Sequence, residues 1–241
     1  MSTTEAVTAI GALADPVRRR LYRYVAERHD AVSREQAAEA LGLPLAKTRF
    51  HLDRLAEEGL LDVEYRRLTG RQGPGAGRPA KLYRRSLTEF RVSLPERHYD
   101  VMGDILADAI ERAQSGEDLG RAIATAAYAK GVAAIAESGA QTGPRSPDDA
   151  MRCAEAVLTG LGYEAEPDAG MLRLRNCPFD ALAQRHRALV CGSNERFVQG
   201  VLDGAGCDGV EARLEPCPGD CCVVARATGG HTVADDKDPE A

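Results

Sequence analysis

Six cysteines fall between positions 177 and 222 of this 241-residue chain, and a seventh, Cys153, stands apart from them. Thirteen residues separate Cys177 from Cys191, fifteen separate Cys191 from Cys207, and thirteen separate Cys207 from Cys221. Cys217 and Cys222 complete the group. Thiolates are soft ligands, and three or four of them converging from separate loops hold an iron–sulfur cluster or a tetrahedral zinc ion. The doubled C-x-x-C spacing of a zinc ribbon is missing, and Cys217-Pro-Gly-Asp-Cys221 is at most one half of a metal site. A reducing compartment disfavours structural disulfides, which leaves metal, cluster or thiol-redox chemistry. If Cys221 and Cys222 lie on a strand, only one of them faces the site, because strand neighbours point to opposite faces. Cys153 reads as a packed small hydrophobe, and His186 as a surface residue.

A second set of residues suits nucleic acid. A helix from Leu45 to about Glu58 has Phe50, Leu52 and Leu55 among its apolar positions. That leaves Lys47, Thr48, Arg49, His51 and Arg54 to face a groove, where Arg pairs with guanine and Lys reaches a base or a phosphate. Downstream, the Gly- and Pro-rich stretch TGRQGPGAGRPA carries Arg71 and Arg78, with Lys81, Arg84 and Arg85 following it. A basic loop of this kind follows a phosphate backbone or enters a minor groove. No nucleophile–base arrangement, P-loop or dinucleotide fingerprint accompanies either set, so no enzyme is expected.

The elements that must position these residues are marked by punctuation. Asp15-Pro16 opens a helix running to about Arg28, since Asp caps well and Pro suits the first helical position. Ser33 and Gln36 form a capping box for the next helix, which ends at the turn Gly42-Leu43-Pro44 before the Leu45 helix. Two β-rich runs, Leu61–Leu68 and Lys81–Arg85, flank the basic loop. Helix, helix, tight turn, helix and hairpin make a winged helix-turn-helix over residues 1–90. Residues 91–145 read as a helical linker of two long helices broken near Ser115-Gly116, whose small residues suit a dimer core. Residues 146–228 alternate helix and strand as an α+β, cysteine-rich sensor domain, giving an α+β chain overall, and the polar tail 229–241 reads as disordered.

Net charge supports the division. The whole chain carries −6, but residues 1–90 hold 16 Lys and Arg against 12 Asp and Glu, leaving the remainder at −10. Segregated basic charge is what duplex DNA rewards. No stretch approaches the ~20 apolar residues of a membrane span, and the N-terminus lacks the basic region of an export signal, so a cytoplasmic protein is expected.

The segments DPVRRRLYRYV, AKTRFHLDRLAEEGLL and GAGRPAKLYRR resemble the winged helix-turn-helix regulators of the ArsR-like group, and most nearly the branch that includes SufR. The likeness continues more loosely through Cys-Pro-Phe, Val-Cys-Gly and Gly-Asp-Cys-Cys. It implies a homodimeric transcriptional repressor on a palindromic double-stranded operator. It also implies an iron–sulfur cluster as sensor, held by Cys177, Cys191 and one of Cys221 or Cys222. Cys207, Cys217 and Glu195 are the candidates for the fourth ligand. Without the cluster, a zinc, thiol-redox or small-molecule sensor takes its place.

Overall fold

Capping residues start the helices where the sequence places them. After α1 (Thr3–Ala12), the Asp15 carboxylate accepts from the backbone N–H groups of Val17 (2.8 Å) and Arg18 (2.9 Å) and opens α2 (Pro16–Ala26). Ser33 and Gln36 close their capping box at the head of α3 (Arg34–Leu41). Gly42 then ends that helix with φ +62°, a left-handed conformation that a side chain would strain. After Leu43, Pro44 leads into α4 (Leu45–Glu57). These come from a computed structural model that describes residues 3–67, 79–139, 146–168 and 171–228. Arg71, Arg78 and the tail at 229–241 therefore lie outside the described residues.

The chain divides into two compact units, residues 1–92 and 93–241. In the first, the strands β2 (Leu61–Arg66) and β3 (Ala80–Arg85) pair antiparallel, with Leu61 opposite Arg85 and Arg66 opposite Ala80. A two-residue strand, β1 (Val32–Ser33), adds to the other edge of β3. The sequence did not announce β1, since two residues carry no periodicity. Leu21, Val25, Leu52, Leu55 and Tyr83 form the core of this unit.

The second unit joins α5 (Tyr99–Gln114), α6 (Leu119–Glu137), α7 (Pro147–Gly160), the short α8 (Asp180–Ala183) and α9 (Arg187–Ala205) to an antiparallel sheet. Its strands β4 (Ala165–Asp168), β5 (Met171–Leu174), β6 (Val210–Leu214) and β7 (Val223–Ala227) lie in the order β4-β5-β7-β6. Helices α5 and α6, read from the sequence as a linker, share one core with that sheet through Met102, Ile105, Ala127, Phe197 and Val201. The small residues Ala122, Ala126, Ala127 and Gly131 of α6 are buried within the unit. At the crossing of α6 and α9, an added Cβ on Gly131 would stand 2.1 Å from the Phe197 carbonyl oxygen. One on Gly200 would stand 2.1 Å from that of Tyr128. Gly192 sits inside α9 with open space around it.

Candidate functional site

Helix α4 follows the tight turn after α3 and is the second helix of the helix-turn-helix. Its buried stripe is Thr48, His51, Leu52 and Leu55. This corrects the groove-facing reading of Thr48 and His51, which are 0% and 7% exposed. The spacing of those four positions is the i, i+3, i+4, i+7 pattern of one helix face, and the polar residue types at 48 and 51 concealed it. Phe50, read with Leu52 and Leu55 among the apolar positions of the helix, is 66% exposed.

The exposed face of α4 presents Lys47 and Arg49 to solvent. Arg54 is exposed but tied to Glu57 at 3.4 Å and to Glu58. Lys81 is also engaged, with its ammonium 2.5 Å from Asp53 of α4. The Tyr83 hydroxyl donates to the same carboxylate at 2.6 Å. Burial pushes the Asp53 carboxyl up, but these two partners outweigh it and hold it below its usual range. The pair of bonds ties α4 to β3, so Lys81 orients the reading helix rather than offering a free charge. Arg49 stays 65% exposed, with Asp53 3.7 Å away.

The buried His51 makes this unit sensitive to acid. Burial pushes its pKa down from 6.5, and Arg18 and Lys47 add to that against the pull of Asp15. Among the described residues its Nδ1 has no hydrogen-bond partner. A histidine depressed in the folded state binds more protons when unfolded, so its contribution is complete above about pH 6.5 and is lost as the pH falls below that. Denaturant midpoints of the N-terminal transition should therefore drop between about pH 7.5 and about pH 5.5. His51→Phe should flatten that slope, and an unchanged slope in the variant would assign it to other groups.

In the second unit, β5 runs into the segment bearing Cys177, the second turn of α9 carries Cys191, and the connection before β7 carries Cys217, Cys221 and Cys222. These five line one cavity of about 750 Å³. The thiols meet in twos. Cys221 donates to the Cys177 sulfur, and Cys191 and Cys222 share a hydrogen bond. Among the described residues, no three His, Cys, Asp or Glu side chains converge closely enough to hold one metal ion as they stand.

The sulfurs sit in a polar cradle. The Cys221 hydrogen bond lowers the Cys177 pKa, and the Phe179 backbone N–H and Arg97 act with it against burial and Asp180. Cys221, 2% exposed, is pushed up by donating its S–H hydrogen bond to Cys177 and by burial, so it keeps its proton. Burial and Cys222 push Cys191 up to about 11. The Asn194 amide donates to Cys221 Sγ at 3.2 Å, and the Tyr163 hydroxyl donates to Asn194 Oδ1 at 2.5 Å, both side chains being buried. Arg97 donates to the Cys177 carbonyl at 3.1 Å and to Asn176, fixing the turn that presents Cys177.

Two sequence candidates lie elsewhere. Cys207 is 4% exposed in the hydrophobic core and does not line the cavity. Glu195 accepts from the Leu214 N–H at 3.0 Å and lines a different surface depression with Tyr128. Both adjacent cysteines face the site, because β7 begins only at Val223 and strand alternation does not govern them. Asn194, Tyr163 and Arg97 went unnoticed in the sequence. Of these only Asn194 carried a local signal, standing one helical turn beyond Cys191.

Residues 13–64 match the family model of a helix-turn-helix domain. With the capped helices, the turn at Gly42 and the hairpin, this defines the first unit as the helix-turn-helix domain of a DNA-binding transcription regulator. No curated protein and no solved structure matches the chain. Among the described residues, no helix is long and apolar enough to cross a membrane.

Proposed function

We propose that this regulator binds a palindromic operator as a homodimer and represses from it, with operator affinity set by an iron–sulfur cluster in the thiol-lined cavity. The meeting of Cys177, Cys191, Cys221 and Cys222 at one cavity carries this reading. The donor set fits the group: soft thiolates, N–H donors on the Cys177 and Cys221 sulfurs, and Arg97 and Arg187 on the lining to offset negative charge. Cys217 lines the same cavity and is the reserve ligand.

When bound, the cluster supplies redox and oxygen sensitivity. The chain's own residues hold the ligands in place. Asn194 and Phe179 donate to sulfur, Tyr163 orients the Asn194 amide, and Arg97 and Asn176 pin the Cys177 turn. Occupancy of the cavity shifts the population between two arrangements of the paired reading helices, of which one suits half-sites a helical turn apart. The resemblance of the three N-terminal segments and of the cysteine motifs to SufR-type regulators supports the same assignment. A cytoplasmic regulator accounts for the free thiols of the cavity.

Iron, zinc and acid-labile sulfide measured on protein purified without oxygen test the cofactor. Affinity for a selected duplex, loaded and stripped, tests the control. Iron with sulfide and an affinity difference of about fivefold or more are expected. Equal affinities would sink the control mechanism. Colourless protein with free thiols would favour a second reading, a metal-free dithiol switch, for which the pairing of the thiols also speaks.

A further inference from the structure

Burial does not explain Phe50. Of the chain's four phenylalanines, Phe179 and Phe197 are each 1% exposed and Phe90 packs against the N-terminal core, while Phe50 is 66% exposed. It stands mid-way along α4, one turn after Ala46 and beside Arg49, and with them and Asp53 it lines a shallow depression on the helix surface. Its ring meets the His51 ring edge-on, with centroids 5.3 Å apart and planes at 71°. Because His51 is buried, Phe50 projects from a fixed base rather than swinging freely.

The second helix of a helix-turn-helix lies in the major groove. The edges of base pairs there offer hydrogen-bond donors, acceptors and one apolar group, the C5-methyl of thymine. Phosphates offer a phenyl ring nothing, and wedging a ring between duplex base steps is a minor-groove device, not one for a helix in the major groove. Arg49 and Lys47, both exposed on the same helix, supply the polar readout that the ring cannot. We propose that Phe50 reads a thymine methyl in each operator half-site and so determines specificity at that position. This rests on the regulator binding duplex DNA.

The full chain is used to select duplexes from a random pool, and each thymine of the selected half-site is then replaced by uracil, which removes only the methyl. Wild-type protein should lose about fourfold in affinity per half-site at one thymine, the scale of one buried methyl group. Phe50→Ala should bind the thymine and uracil duplexes alike and accept any base pair there, with Phe50→Leu between the two. Because the ring is exposed and keeps only its edge contact with His51, the unfolding midpoint should shift only slightly. Wild-type binding that ignores every thymine-to-uracil change would overturn the proposal, as would equal sensitivity in Phe50→Ala. So would a change in oligomeric state of Phe50→Ala without DNA, which would assign the ring to a second copy of the chain. Failure to enrich any duplex would instead strike at DNA binding itself.

Discussion

Cys177→Ser, purified without oxygen, should retain less than about a tenth of the wild-type iron and sulfide, since loss of a partner to a ligand alone costs 10–100-fold in metal affinity. The reasoning starts from position. Cys177 is one of three partly exposed thiols of the cavity, with Cys217 and Cys222, and it receives hydrogen bonds from Cys221 and from the Phe179 N–H. A serine oxygen is nearly isosteric but a poor ligand for iron, so the fold should survive while the site fails. Cys221→Ser should behave likewise. Asn194→Leu should leave every thiol in place and remove one N–H from the Cys221 sulfur, giving a weaker loss and a shifted visible spectrum. Cys207→Ala, by contrast, deletes a core side chain and should lower stability while leaving iron content per folded protein unchanged. Iron retained by Cys177→Ser, or lost by Cys207→Ala, would move the site away from the cavity described above.

Gly131→Ala is the other substitution with a large expected effect. Its new Cβ would stand 2.1 Å from the Phe197 carbonyl oxygen and 2.9 Å from the Val201 amide nitrogen, both backbone atoms that cannot rotate away. Helices α6 and α9 would have to separate, and overpacking on this scale costs about 3 kcal/mol. Gly103→Ala on α5 makes the same chemical change with nothing within 4 Å. There the loss of backbone freedom in the unfolded chain dominates, and stability should rise by about 0.5–1 kcal/mol. Denaturant unfolding of the two variants beside wild type checks both signs. A neutral Gly131→Ala would show that the crossing is looser than its backbone contacts indicate.

Much of the fold was legible before any coordinates. Asp15, Ser33 with Gln36, and Gly42 act over three or four residues, so their effect on α2, α3 and the turn is written locally. The clustering of cysteines marked the second site for the same reason: residue type and rough spacing survive without knowledge of the path between them. Helix α4 was harder. Position 48 starts the buried i, i+3, i+4 run with a hydroxyl and position 51 continues it with an imidazole, so sorting by polarity turned the helix face outward. Sorting by spacing would have turned it correctly and left Phe50 outside.

The sequence by itself determined where α2 and α3 begin and where α3 ends, which unit carries basic charge, and that a group of thiols waits near the C-terminus. Only the tertiary structure decided which thiols meet. Cys177 and Cys221 come from separate connections of one sheet, brought side by side because β5 pairs with β7 and the Cys221 N–H bonds to the Leu174 carbonyl at 2.9 Å. Cys207 is nearer to Cys221 in the chain but turns into the core after α9. Pairing of this kind depends on sheet register and helix crossing, which are set by contacts distant in sequence, and no local spacing encodes it.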